Sequence, residues 1–82
     1  MDMKELTGAF QRIYGEKEGL RIFMTVMPGI LKDFNGMLKT SLPGKRITEE
    51  YIVEGGKAKV LLSGTAGEEG PEQIQARVIK NE

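Results

Sequence analysis

The side chains able to do chemistry in this chain are few, because its 82 residues include neither histidine nor cysteine. Losing histidine removes the commonest general base and the commonest transition-metal ligand. Losing cysteine removes thiol nucleophiles, disulfides and thiolate zinc sites. A site would have to be built from Asp, Glu, Lys, Arg, Tyr and backbone groups, with no metal, cofactor or catalytic cluster expected.

Ser63-Gly64-Thr65-Ala66-Gly67-Glu68-Glu69-Gly70 has the glycine density of a phosphate loop. Such a loop aims backbone N–H groups at an anion from a helix N-terminus, usually with a lysine beside them. Glu68 and Glu69 would repel that anion, and no Gly-Lys-Ser/Thr run follows, so 64–71 reads as a connecting loop. Gly44-Lys45-Arg46 likewise reads as a basic turn.

Among the carboxylates, Glu49 and Glu50 are neighbours, so on a strand they point to opposite faces and share no substrate. Glu50 and Glu54 share a face opposite lysines, which predicts solvated ion pairs. Glu49 falls on an otherwise apolar face opposite Leu62. An edge position, from which its carboxylate reaches water, is the expected explanation; the competing one is a buried carboxylate of raised pKa. Lys32, Lys39, Lys45 and Arg46 form the only basic group. Of these Lys39, Lys45 and Arg46 are the candidates for phosphate contacts to nucleic acid. The group lacks interleaved aromatics for base stacking, and 12 Lys+Arg balance 12 Asp+Glu over the chain, so a solvated face is expected instead.

The elements that would position these groups follow from periodicity. Met3, Leu6, Ala9, Phe10 and Ile13 share one helical face, Asp2 suits the N-cap with Glu5 three residues on, and Gly15 suits the C-terminal stop, predicting a helix over 2–14. Gly8 inside it would mark a close approach to a neighbour. Residues 20–42 carry two patterns. Leu20, Phe23, Met24, Met27, Leu31, Phe34 and Leu38 form a helical stripe, whereas Leu20, Ile22, Met24 and Val26 line one face of a strand. A proline inside a helix costs about 3 kcal/mol, and one at a helix start almost nothing. Pro28-Gly29 therefore favours a strand at 20–26 followed by a helix at 29–40, with a continuous kinked helix over 19–40 as the alternative.

Gly55-Gly56 between two alternating runs predicts a β-hairpin, with Arg46–Glu54 and Lys57–Ser63 as its strands. Centred there, the register sets Glu54 opposite Lys57, Val53 opposite Ala58, Tyr51 opposite Val60 and Glu49 opposite Leu62. One face then carries Ile47, Tyr51, Val53, Ala58, Val60 and Leu62. The other carries Glu50, Glu54, Lys57 and Lys59 around Ile52 and Leu61. Ile74, Ala76 and Val78 alternate with polar residues and predict a third meander strand at 73–80, with a short helix opened by Pro71 as the alternative.

The expected fold is α+β: one domain over 1–82, in the order α-β-α-β-β-β, with both helices on one face of an antiparallel sheet. A helical hairpin on a three-stranded meander is the alternative. So short a chain cannot cover every apolar side chain, and Ile22, Phe23, Met24 and Met27 are the candidates for a protein-binding surface. Zero net charge leaves little repulsion between copies. The expected function is a non-catalytic interaction or adaptor domain that self-associates, not an enzyme; a small nucleic-acid-binding regulator is the alternative. No apolar run reaches the roughly 18 residues of a membrane span. Met1-Asp2-Met3-Lys4-Glu5 has no signal-peptide pattern, so a cytoplasmic location is expected.

Overall fold

The computed structural model describes residues 2–81. The first helix forms as its sequence predicts. Asp2 caps α1 (Met3–Tyr14) by accepting hydrogen bonds from the backbone N–H groups of Lys4 (2.9 Å) and Glu5 (3.4 Å). Gly15 ends it at φ 98°, in the region that favours glycine, and the chain turns directly into α2 (Glu16–Lys39).

The strand expected at 20–26 is not formed. α2 is one helix of 24 residues that runs through Pro28, so the order is α-α-β-β-β and the helical hairpin is the arrangement present. The reason is packing. A single helix puts Ile22, Met27, Phe34 and Leu38 on the core side, each at most 2% exposed. Full burial of such side chains stabilises by roughly 1.5–3 kcal/mol each, which outweighs the about 3 kcal/mol cost of an internal proline. Pro28 lies on the exposed side of the helix. Among the described residues, no helix is long and apolar enough to cross a membrane.

Gly19, and not Gly8, is the close approach between the helices. A Cβ on Gly19 would lie 2.5 Å from the Gln11 nitrogen and 2.7 Å from the Phe10 carbonyl carbon, while one on Gly8 would meet only the Arg12 guanidinium at 3.5 Å. Phe10 seals the helix pair against Phe23, edge to face at 5.8 Å.

The sheet is an antiparallel meander of β1 (Arg46–Ile52), β2 (Ala58–Ala66) and β3 (Pro71–Lys80), with β2 central. The hairpin register is the expected one: Tyr51 faces Val60, Glu50 faces Leu61 and Glu49 faces Leu62. The connection is longer than the expected two-residue Gly55-Gly56 loop: β1 ends at Ile52 and β2 begins at Ala58, and Glu54–Gly56 form one 3-10 turn, with Gly55 and Gly56 at φ 74° and 72° and the Gly56 N–H on the Val53 carbonyl at 2.8 Å. The Lys59–Glu50 ion pair forms at 3.0 Å, but Glu54 turns to Arg21 at 3.5 Å instead of pairing with Lys57. The expected loop at 64–71 is shorter. β2 continues through Ala66, and β3 begins at Pro71 as a strand, not a helix.

Gly64 lies within this extension: a Cβ there would lie 3.2 Å from Leu38 and 3.3 Å from Phe34, so the sheet and α2 meet tightly at this point. Opposite it the pairing shifts by one residue, from Ser63–Gln75 to Thr65–Glu72, and the extra residue in β3 is accommodated by Gln73 at φ 51°. Both helices cover one sheet face, where Val53, Ala58, Val60, Leu62 and Ala66 complete the core begun by Leu6 and Phe10.

Candidate interaction surface

The four side chains proposed from sequence for partner binding separate in space. Ile22 (2% exposed) and Met27 (1%) belong to the core, because the helix turns them toward the sheet, so neither is the surface contact expected of it. Phe23 is half-buried against Phe10. Met24 projects into solvent, 67% exposed. Leu20 (43% exposed) lies one turn before it and Leu31 two turns after, and Met3 of α1 (43% exposed) joins them.

Together Met3, Phe23, Met24, Met27, Pro28 and Leu31 line an open hollow between the start of α1 and the middle of α2, almost wholly apolar in its walls. Met27 forms its floor while remaining inaccessible. The surface exists because α2 continues through Pro28, which carries Leu20, Met24 and Leu31 along the flank of its buried stripe, the first two exposed and Leu31 half-buried. Reading 20–26 as a strand hid Leu20, Leu31 and Met3 from the candidate set, although Leu20 and Leu31 stand in the same three- and four-residue series as Met24.

The basic group takes a different form from the one its sequence spacing suggests. Arg46 lies along the outer sheet face, where its guanidinium donates to the hydroxyls of Thr65 (3.2 Å) and Ser63 (3.1 Å). Lys39, at the end of α2, borders a hollow it shares with Glu68 and Glu69. Lys45 is exposed beside the Pro43-Gly44 turn, and its carbonyl accepts from the Ala66 N–H at 2.8 Å.

The remaining polar groups serve to join elements. The Tyr51 hydroxyl donates to the Asp33 carboxylate at 2.7 Å, and the Tyr14 hydroxyl to the Glu54 carbonyl at 2.9 Å. Burial, then the bond to Asp33 and the charges of Asp33 and Glu49, push the Tyr51 hydroxyl well above the usual tyrosine range. Glu49 is half-buried on the strand at the sheet edge. Arg21 holds the Glu18 carboxyl below its ordinary value through a 2.8 Å hydrogen bond. Among the described residues no group of three or more acidic side chains gathers as a metal site. Comparison of the chain with protein-family models, curated proteins and solved structures finds no match.

Proposed function

We propose that this protein is a non-catalytic interaction module that associates with copies of itself. The observation that carries the reading is the exposed apolar surface of the helix pair, where Met24, Leu20 and Met3 stand in water beside a hollow walled by Phe23, Pro28 and Leu31. Continuous apolar surface of this kind on a small protein marks a contact site. Methionine suits such a surface, since its unbranched, polarizable side chain adapts to an opposing face. Knob and hollow belong to one patch, so a second copy related by a two-fold axis would place each Met24 over the other's hollow. Equal numbers of acidic and basic residues leave no net repulsion against that pairing.

Sedimentation velocity across a concentration series tests the reading. Wild-type chain is expected above its monomer mass of 9.1 kDa, and Met24→Glu is expected to dissociate at least tenfold more readily. A wild type that stays monomeric at the highest attainable concentration overturns it.

A further inference from the structure

The two edges of the sheet are built differently. β3 opens with Pro71, carries the bulge at Gln73, and has Leu6, Ala9 and Arg12 of α1 alongside its second half. Prolines, bulges and covering helices are the usual devices that stop a strand edge from pairing with another chain. β1 has neither proline nor bulge, and its one protective feature is the Glu49 carboxylate on the helix-facing side. Its seven residues hold an unbroken register against β2.

Ladder geometry fixes what that edge presents. The Val53 N–H donates to the Ala58 carbonyl (2.9 Å) and the Ala66 N–H to the Lys45 carbonyl (2.8 Å), so odd-numbered positions turn their backbone groups toward β2. Arg46, Thr48, Glu50 and Ile52 therefore turn theirs outward, and among the described residues no hydrogen bond occupies them. Arg46, Thr48 and Glu50 also share the face away from the helices, and all three are exposed.

This row is self-complementary. When two β1 strands run antiparallel with Thr48 opposite Thr48, Arg46 of each copy meets Glu50 of the other, and all three pairs are hydrogen-bonded ones. Centring on Glu49 or on Glu50 would instead set two like carboxylates face to face, which is unfavourable. Centring on Ile47 would leave only Arg46–Thr48 facing strand, against Arg46–Glu50 when Thr48 is the centre.

α2 agrees with the same arrangement. The Tyr51–Asp33 bond marks the side of α2 turned toward β1, and that side carries Gly29 and Gly36 in a shallow hollow with Lys32, Asp33, Met37 and Thr40. A Cβ on either glycine would meet nothing within 4 Å, so nothing inside the chain requires them. Edge pairing about an axis normal to the sheet brings a second α2 to that side, where missing side chains permit close approach.

We propose that β1 is a homophilic edge: two copies join antiparallel through Arg46–Glu50, Thr48 opposite Thr48, fusing two three-stranded sheets into one of six strands. The inference specifies a contact within the self-association proposed above, and it is independent of the helical surface. The test is sedimentation velocity in a Met24→Glu background, where association through the edge persists. Arg46→Glu and Glu50→Arg, both at exposed positions, each place like charges across the seam and are expected to weaken association at least tenfold. Mixing the two restores it, because one chain then offers two carboxylates to the seam and the other two guanidinium groups, so every facing pair is of opposite charge. In the associated form the amides of Arg46, Thr48 and Glu50 exchange slowly, and in the single variants those that remain exchange fast. Equal association of Arg46→Glu and its parent overturns the proposal, and so does a mixture as weak as its components. Complete dissociation by Met24→Glu alone also overturns it and leaves the helical surface as the contact. If Met24→Glu changes nothing while Arg46→Glu dissociates the chain, the helical reading fails and the edge stands.

Discussion

Tyr51 donates its hydroxyl proton to Asp33 over 2.7 Å, and this one bond ties the edge strand β1 to the middle of α2. Removing it in Tyr51→Phe is expected to lower the unfolding free energy by about 1 kcal/mol, read as a shift of the urea midpoint at unchanged slope. An unchanged midpoint would mean that water replaces Tyr51 at Asp33 without loss.

Burial of the two tyrosines sets a pH dependence. Tyr51 and Tyr14 both titrate above the ordinary tyrosine value of 10.0 in the folded chain, each chiefly through burial. An unfolded chain then loses these protons first, so the stabilisation is complete below about pH 10 and falls as pH rises through the folded values. Tyr51→Phe is expected to flatten this alkaline loss. The chain has two tyrosines and no tryptophan, so absorbance of tyrosinate follows both groups directly. A wild-type titration centred at the ordinary value would contradict the geometry.

Two glycines of α2 are expected to respond in opposite directions. Gly19→Ala drives a methyl group into the backbone of α1 at Gln11 and Phe10 and should cost about 3 kcal/mol, enough to threaten so small a fold. Gly29→Ala meets open space and should gain up to about 1 kcal/mol from helix propensity. Thermal melts of the two variants separate these cases.

Gln73 holds φ 51° at the β3 bulge with a full side chain. That conformation costs a non-glycine residue roughly 1–2 kcal/mol. Gln73→Gly is expected to raise stability by about 1 kcal/mol, part of the relief being offset by the greater freedom of glycine when unfolded. A loss would mean that the Gln73 side chain contributes more than its backbone costs.

Ile22 and Met24 are two residues apart and would share a face in a strand; in α2 they do not. Ile22→Ala should cost about 2–5 kcal/mol, as for other fully buried aliphatic side chains, whereas Met24→Ala should fall within about 0.5 kcal/mol. Equal effects would contradict the helix through Pro28.

What was legible in the sequence was what local rules decide. Asp2, the spacing of Leu6, Ala9 and Phe10, and Gly15 define α1 without reference to anything distant. The parity of Glu49, Tyr51 and Val53 about Gly55-Gly56 fixes the hairpin register. Residues 20–26 were legible only in part, because local rules weigh Pro28 as a breaker and cannot register the burial of Phe34 and Leu38 that a continuous helix secures from the sheet. Gly64 was equally opaque: its role depends on how near α2 comes to β2, a distance between elements 26 residues apart from Leu38 to Gly64. The apolar surface is half visible in the sequence, since Met24 is exposed in either reading while Leu20 and Leu31 need the helix to bring them beside it.

Pro28 has no N–H, so the carbonyl of Met24, four residues earlier, lacks its helical donor. Both residues border the apolar hollow. The helical ladder therefore has one rung missing beside the hollow, and proline is where helices bend most readily. An occupant that presses on the hollow meets α2 at the point where its backbone resists deformation least.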